Sequence, residues 1–218
     1  MKKTISIFIL LLLLMITNWI SVIRREELPR FDQWTRPFVD TVAETKVYTL
    51  FRWMTEFGSF HFVFPLTIIG IIVLWIVFRD YLPALIFGLG VLTTHLLNQL
   101  IKDFIARERP SISVLLNAEG YSFPSGHSMV TMVCYGLIAY FIGTKLASRK
   151  ATMIIQIMFG CIIFLIGFSR YILNVHYLTD IISGFLFGFI MLLLFIYLYK
   201  IANQVRSRKQ RRSLEGSS

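Results

Sequence analysis

Two histidines, an aspartate and a few basic residues stand where long apolar runs begin or end, and their types and spacing suit chemistry on a phosphate group. His176 and Asp180 are four apart, so on one helix face the carboxylate can hold one imidazole nitrogen. That bond fixes the tautomer and leaves the lone pair of the other nitrogen free to attack phosphorus. His127 comes from a different run and is placed to give a proton to the leaving oxygen. Arg109 and Arg170 offer planar forks of donors that fit phosphate oxygens, and Lys102 adds a point charge. Pro124-Ser125-Gly126-His127 reads as a helix start, in which Ser125 caps and Gly126 lets backbone N–H groups approach an anion. Negative charge developing on the equatorial oxygens would meet Lys102, Arg109, Arg170 and the Ser125/Gly126 turn.

Each residue also has an ordinary use. A basic side chain at the end of an apolar run snorkels to headgroups, and a lone histidine usually fills a satisfied site. The combination is what points to a phosphate pocket. Arg107 is expected to touch headgroups only. The acids Asp103, Glu108, Glu119 and Asp180 are too scattered for a two-metal site, so neither a metal nor another cofactor is expected.

The elements that must hold these residues are membrane spans. Of 218 residues, 56% are hydrophobic and 16% charged, with a mean hydropathy of +0.69. An ordinary soluble domain carries about 25% charged residues. Six runs are long enough to cross a hydrocarbon core of about 30 Å, near 4–23, 60–78, 82–101, 125–145, 151–169 and 177–199. The first lacks a small-residue cleavage pattern and is expected to stay as an anchor. The fold class expected is an all-α integral membrane bundle of six transmembrane helices, in one domain, with a basic cytoplasmic tail over 200–218.

The short-loop Lys/Arg bias orients the bundle. Lys2 and Lys3, Arg79, then Lys145, Arg149 and Lys150, and the C-terminal cluster fall on one side, which places both termini in the cytoplasm. The phosphate-binding candidates then share the outer face. The outer segment 24–59 balances six bases against six acids and interleaves Phe31, Trp34, Phe38, Tyr48, Phe51, Trp53 and Phe57 with polar residues. Short helices lying in the headgroup region are expected there, serving as a lid or as a lateral entry for lipid. The net charge is +10, and six of the basic residues, Lys200, Arg206, Arg208, Lys209, Arg211 and Arg212, cluster behind the last span, which fits anionic lipid rather than nucleic acid. Cys134 and Cys161 are read as buried small hydrophobes. On the third span His95, Asn98, Gln99 and Lys102 form a polar stripe that either supports Lys102 from behind or joins helices.

The same residues fall into three patterns. Lys102 to Pro110 fits K-x6-R-P, Pro124 to His127 fits P-S-G-H, and Ser169 to Asp180 fits S-R-x5-H-x3-D. With all three in order over 102–180, the chain resembles the type-2 phosphatidic acid phosphatase superfamily. That superfamily includes lipid phosphate phosphatases, soluble bacterial acid phosphatases and vanadium haloperoxidases. The six-span layout is similar to the bacterial phosphatidylglycerophosphatase B type.

The resemblance implies a phosphohistidine mechanism with His176 as nucleophile, Asp180 as its partner and His127 as general acid. Lys102, Arg109, Ser125, Gly126 and Arg170 would bind the phosphoryl group. Ser169 belongs to the pattern and is placed, with His95 and Asn98, behind the site. The partner implied is an anionic phospholipid or polyprenyl phosphate in a bacterial cell membrane. Phosphatidylglycerophosphate is the first expectation, and undecaprenyl pyrophosphate the second. A lipid or anion transporter would need its polar groups near the midplane, whereas here they gather at one rim. A haloperoxidase would share the anion pocket and differ in oxidising halide.

Overall fold

The computed structural model describes residues 14–42, 45–110 and 118–215. Its elements are α-helices throughout: α1 (Leu14–Ile23), α2 (Arg30–Val42), α3 (Lys46–Glu56), α4 (Phe60–Phe78), α5 (Tyr81–Ile105), α6 (Gly126–Lys145), α7 (Arg149–Ile172) and α8 (Leu178–Glu215). Helices α4 to α8 are each long and apolar enough to cross a membrane. Helix α1 is the described part of the first expected span, whose residues 4–13 lie outside the described residues. The chain is a multi-pass membrane helix bundle.

Sequence boundaries and structure agree closely where the chain turns sharply. Asp80 caps α5 by accepting from the Leu82 N–H at 3.0 Å, and Ser148 caps α7 through Ala151. Helix α5 runs past its expected end to Ile105, and α8 continues as helix through most of the basic tail. Polar residues propagate a helix that is already nucleated, so hydropathy marks where the lipid ends and not where the helix ends.

Helix α6 is the centre of the bundle. It packs on α5, α7 and α8, and Met129, Val133, Leu137 and Phe141 on it are fully or almost fully buried. Gly184 and Gly188 of α8 let the two backbones meet, because a Cβ on either would lie 2.7 Å from the Ser125 carbonyl oxygen or 2.6 Å from that of Met129. The flanks of α4 and α7 expose Trp75, Ile76, Ile154 and Ile157, as a lipid-facing surface should. Cys134 is buried, whereas Cys161, expected buried, is exposed on α7. An apolar membrane helix needs no protein cover for a thiol, since lipid serves.

The short helices expected in segment 24–59 form as α2 and α3. Helix α2 presents Trp34 and Phe38 outward and turns Asp32 and Val39 inward, and α3 packs on α7. Each sends one polar residue to the ends of the spans.

Candidate active site

The site forms where four span ends meet. Lys102 lies in the last turn of α5, and the helix stops at Ala106, a left-handed residue at φ 53°. That turn sends the following strand of chain, with Arg107 and Arg109, back across the bundle. Ser125 caps α6, accepting from the Ser128 N–H at 3.4 Å, while its own N–H donates to the Asp180 carbonyl at 3.0 Å. The P-S-G-H turn is thereby tied to the first turn of α8. The N–H groups of Gly126 and His127 are those of the first turn not taken up by these bonds, and both residues line the central cavity.

His176 is not on the helix that carries Asp180. It precedes the first helical residue, Leu178, so the two meet across the helix start and not along one face. Asp180 Oδ2 accepts from the Tyr177 N–H at 2.9 Å, in the manner of a capping box, and lies 3.4 Å from His176 Nδ1. His176 Nε2 is 2.9 Å from the NH1 group of Arg109. A guanidinium can only donate, so Nε2 accepts and the ring proton sits on Nδ1, towards Asp180. The lone pair on Nε2 is thus engaged by Arg109, and both residues line the central cavity. Burial pushes the His176 imidazole well below its ordinary pKa, and the nearby charges of Arg109, Arg170 and Lys102 push it further in the same direction.

Arg109 uses its whole fork on the protein. Nε donates to Gly120, NH1 to Val175 and His176, and NH2 to Glu119 and Tyr121, at 2.9 to 3.3 Å. A phosphate would have to exchange with some of these bonds. Arg170 is 1% exposed and donates to Thr55 Oγ1 of α3 at 2.9 Å.

A cavity of about 810 Å³ joins these residues. Lys102, Arg109, His127, Arg170 and His176 line its polar end. Its other end runs between α4 and α5 along Phe64, Ile68, Ile71, Gly88 and Leu92, and the exposure of Phe64, Ile68 and Leu92 shows that it opens sideways. His95 and Gln99 line it too. Asn98 is buried and donates to the Pro124 carbonyl at 3.2 Å, so it bridges α5 to the P-S-G-H turn. Ser169 is fully buried and bonds back to Ile166 of its own helix at 2.5 Å.

Arg107 departs from expectation. It is 7% exposed and turned into the protein; its NH1 donates to Asp180 Oδ1 at 2.5 Å and its NH2 to Asp32 Oδ2 at 2.8 Å. Asp32, Thr55 and Gly58, all in segment 24–59, are site neighbours that the sequence does not single out. A Cβ on Gly58 would meet His127 Cδ2 at 2.7 Å, so its backbone abuts that imidazole. The legible signal for Asp32 was its place on α2, opposite the Phe31, Trp34, Phe38 stripe.

Comparison with known proteins gives the affiliation. Residues 83–204 match the PAP2 superfamily. The chain belongs to the PAP2 superfamily. Phosphatidylglycerophosphatase B of Bacillus subtilis (strain 168) is 36% identical over 145 residues, covering 65% of this chain and 70% of its own length. Dolichyldiphosphatase of Saccharomyces cerevisiae is 24% identical over 176 residues, covering 78% of this chain and 72% of its own length. Among solved structures, the first transmembrane PAP2 type phosphatidylglycerolphosphate phosphatase from Bacillus subtilis superposes with a TM-score of 0.74 at 26% identity, covering 86% of this chain and 95% of that one. Aquifex aeolicus LpxE gives a TM-score of 0.61 at 21% identity, covering 79% and 98%, which supports the fold. As a PAP2 phosphatase homologous to the first of these, the chain is a phosphoric monoester hydrolase of the membrane type.

Proposed function

We propose that this chain removes the terminal phosphate of phosphatidylglycerophosphate at the outer face of the membrane, through a phosphohistidine intermediate and without a metal. One observation carries the reading. An unprotonated Nε2 of His176 borders a cavity that is cationic at one end and apolar, open to lipid, at the other. Its volume lies within the about 300–1,000 Å³ usual for small-molecule sites, and its shape suits a phosphate head with an acyl chain lying between α4 and α5.

The residues divide the work as follows. Lys102, Arg170 and the Gly126 and His127 N–H groups hold the phosphoryl oxygens, and Arg109 shifts from His176 onto the incoming phosphate. Nε2 attacks phosphorus, and Asp180 stabilises the imidazolium that results. The bond from phosphorus to the glycerol oxygen breaks, and that oxygen takes a proton from His127. Neutral His127 then removes a proton from water, which attacks the phosphohistidine and releases inorganic phosphate and free His176.

The short-loop basic residues support an outer-face site with cytoplasmic termini, since Arg79, Lys145, Arg149 and Lys150 lie at the span ends opposite His176. A second reading, undecaprenyl pyrophosphate hydrolysis, is favoured by the resemblance to dolichyldiphosphatase, whose name describes a polyprenyl diphosphate substrate. Phosphate release by purified protein in detergent, with each lipid and with His176→Ala as control, tests both. The proposal expects release from phosphatidylglycerophosphate that is lost in the variant and insensitive to a chelator. Faster release from undecaprenyl pyrophosphate would give the second reading precedence, and silence on both would remove the phosphatase reading.

A further inference from the structure

Behind Asp180 lies a buried charge cluster that no phosphate contact explains. Arg107 NH1 donates to Asp180 Oδ1 at 2.5 Å and to Thr179 Oγ1 at 2.8 Å, and its NH2 donates to Asp32 Oδ2 at 2.8 Å. Asp32, on α2, also accepts from Thr179 through its N–H at 3.0 Å and its hydroxyl at 2.6 Å. The guanidinium lies over the Tyr177 ring, 3.9 Å from its centroid. Asp32 is 2% exposed, and Thr179 and Asp180 are fully buried, so these bonds are shielded from bulk solvent.

We propose that Arg107 and Asp32 are positioning residues that set the aim and the net charge of Asp180, and through it the reactivity of His176. The inference rests on His176 being the nucleophile. The count of charges carries it. Asp180 must stay negative enough to stabilise the positive charge that His176 gains when Nε2 bonds to phosphorus. Paired with Arg107 alone, that carboxylate would be neutralised one to one. Asp32 engages the second arm of the same guanidinium, which leaves the cluster with a net negative charge beside the imidazole. Without Arg107, two buried carboxylates would instead favour a protonated His176, whose Nε2 has no lone pair to attack with. Asp32 and Arg107 thus prevent opposite failures.

A purely structural tie between α2 and α8 would also use these bonds, since Asp32 caps the start of α8 in the place of a local side chain. Such a tie would affect stability and leave the titration of His176 where it is. The charged and titratable groups facing that imidazole are Arg109 from the loop, Lys102 from α5, His127 from α6, Arg170 from α7 and Asp180 from α8. Changing Arg107 or Asp32 leaves all of them in place.

The test uses the full chain in detergent. In ¹⁵N-histidine NMR, His176 assigned by His176→Gln, Arg107→Met should raise the titration midpoint of His176 and Arg107→Lys should leave it near wild type. Asp32→Asn keeps an acceptor for Thr179, so folding is spared, and should lower kcat on phosphatidylglycerophosphate about ten- to a hundredfold with KM within about twofold, the scale on which groups that orient a reacting ligand act. An unmoved midpoint in Arg107→Met, or wild-type kcat in Asp32→Asn, overturns the inference. If Arg107→Met does not fold, Asp32→Asn and Arg107→Lys decide it. Wild-type protein inactive on the lipid would count against the proposed substrate, while the titration would still judge the charge cluster.

Discussion

At the scale of single residues, the account turns on the state of one imidazole. His176 is buried beside three cationic side chains, which keep the imidazole neutral, and its Nε2 lone pair is held by Arg109 until that guanidinium moves onto a phosphate. A histidine held below its unfolded pKa binds its proton less tightly when folded, so the neutral, active form persists as pH falls through the usual imidazole range near about 6.5. The acid limb of kcat/KM should therefore lie below that value; a limb at or above it would contradict a depressed His176. Asp180→Asn should leave the protein folded and lower kcat roughly a thousandfold or more, the consequence of losing the orienting charge behind a catalytic histidine. Near wild-type turnover in that variant would remove Asp180 from the site. The sequence made His127, His176 and Asp180 legible because reactive side chains are rare at span ends, and the structure gathers them with Lys102, Arg109 and Arg170. It could not show that Arg109 spends four of its five donors on carbonyls and the fifth on His176, because backbone acceptors carry no residue identity. Arg107 was misread for a related reason: a basic residue after a span usually snorkels, and only the turn at Ala106 sends this one inward.

At the scale of elements, close packing of α6 against α8 is what brings the P-S-G-H turn to Asp180. Gly184→Ala would place a methyl 2.7 Å from the Ser125 carbonyl oxygen and 2.9 Å from Ser128 Cβ, both atoms with little room to move. A loss of about 1–3 kcal/mol of stability is expected, visible as a lower Tm in detergent, together with reduced turnover because the Ser125 cap is displaced. Unchanged Tm would mean that α8 slides freely on α6. The fold was legible for the spans because hydropathy reports the solvent of each segment, and 60–78 and the start of α6 agree with the structure to within a residue. Segment 24–59 was legible only as amphipathic. That Asp32 and Thr55 reach the site depends on how α2 and α3 lie across the bundle, which no local pattern encodes.

At the scale of the whole molecule, the cavity joins the phosphate end to the lipid between α4 and α5. Gly88→Leu should fill the apolar branch, since even a Cβ there meets Ile71 Cδ1 at 2.9 Å. Hydrolysis of a long-chain lipid phosphate should drop while that of a small soluble phosphate ester holds, and equal loss on both would show that the groove carries no acyl chain. The same geometry explains why the polar groups sit at one rim: only there can a charged phosphate leave water or headgroups without crossing the core. The central claim is that phosphate passes through His176, and trapping the intermediate tests it most directly. Wild-type protein mixed with lipid labelled with ³²P at its terminal phosphate, then quenched in alkali, should carry an acid-labile label on the peptide containing His176, and His176→Ala should carry none. Full turnover in the wild type with no trapped label, or label that remains in His176→Ala, would contradict the account.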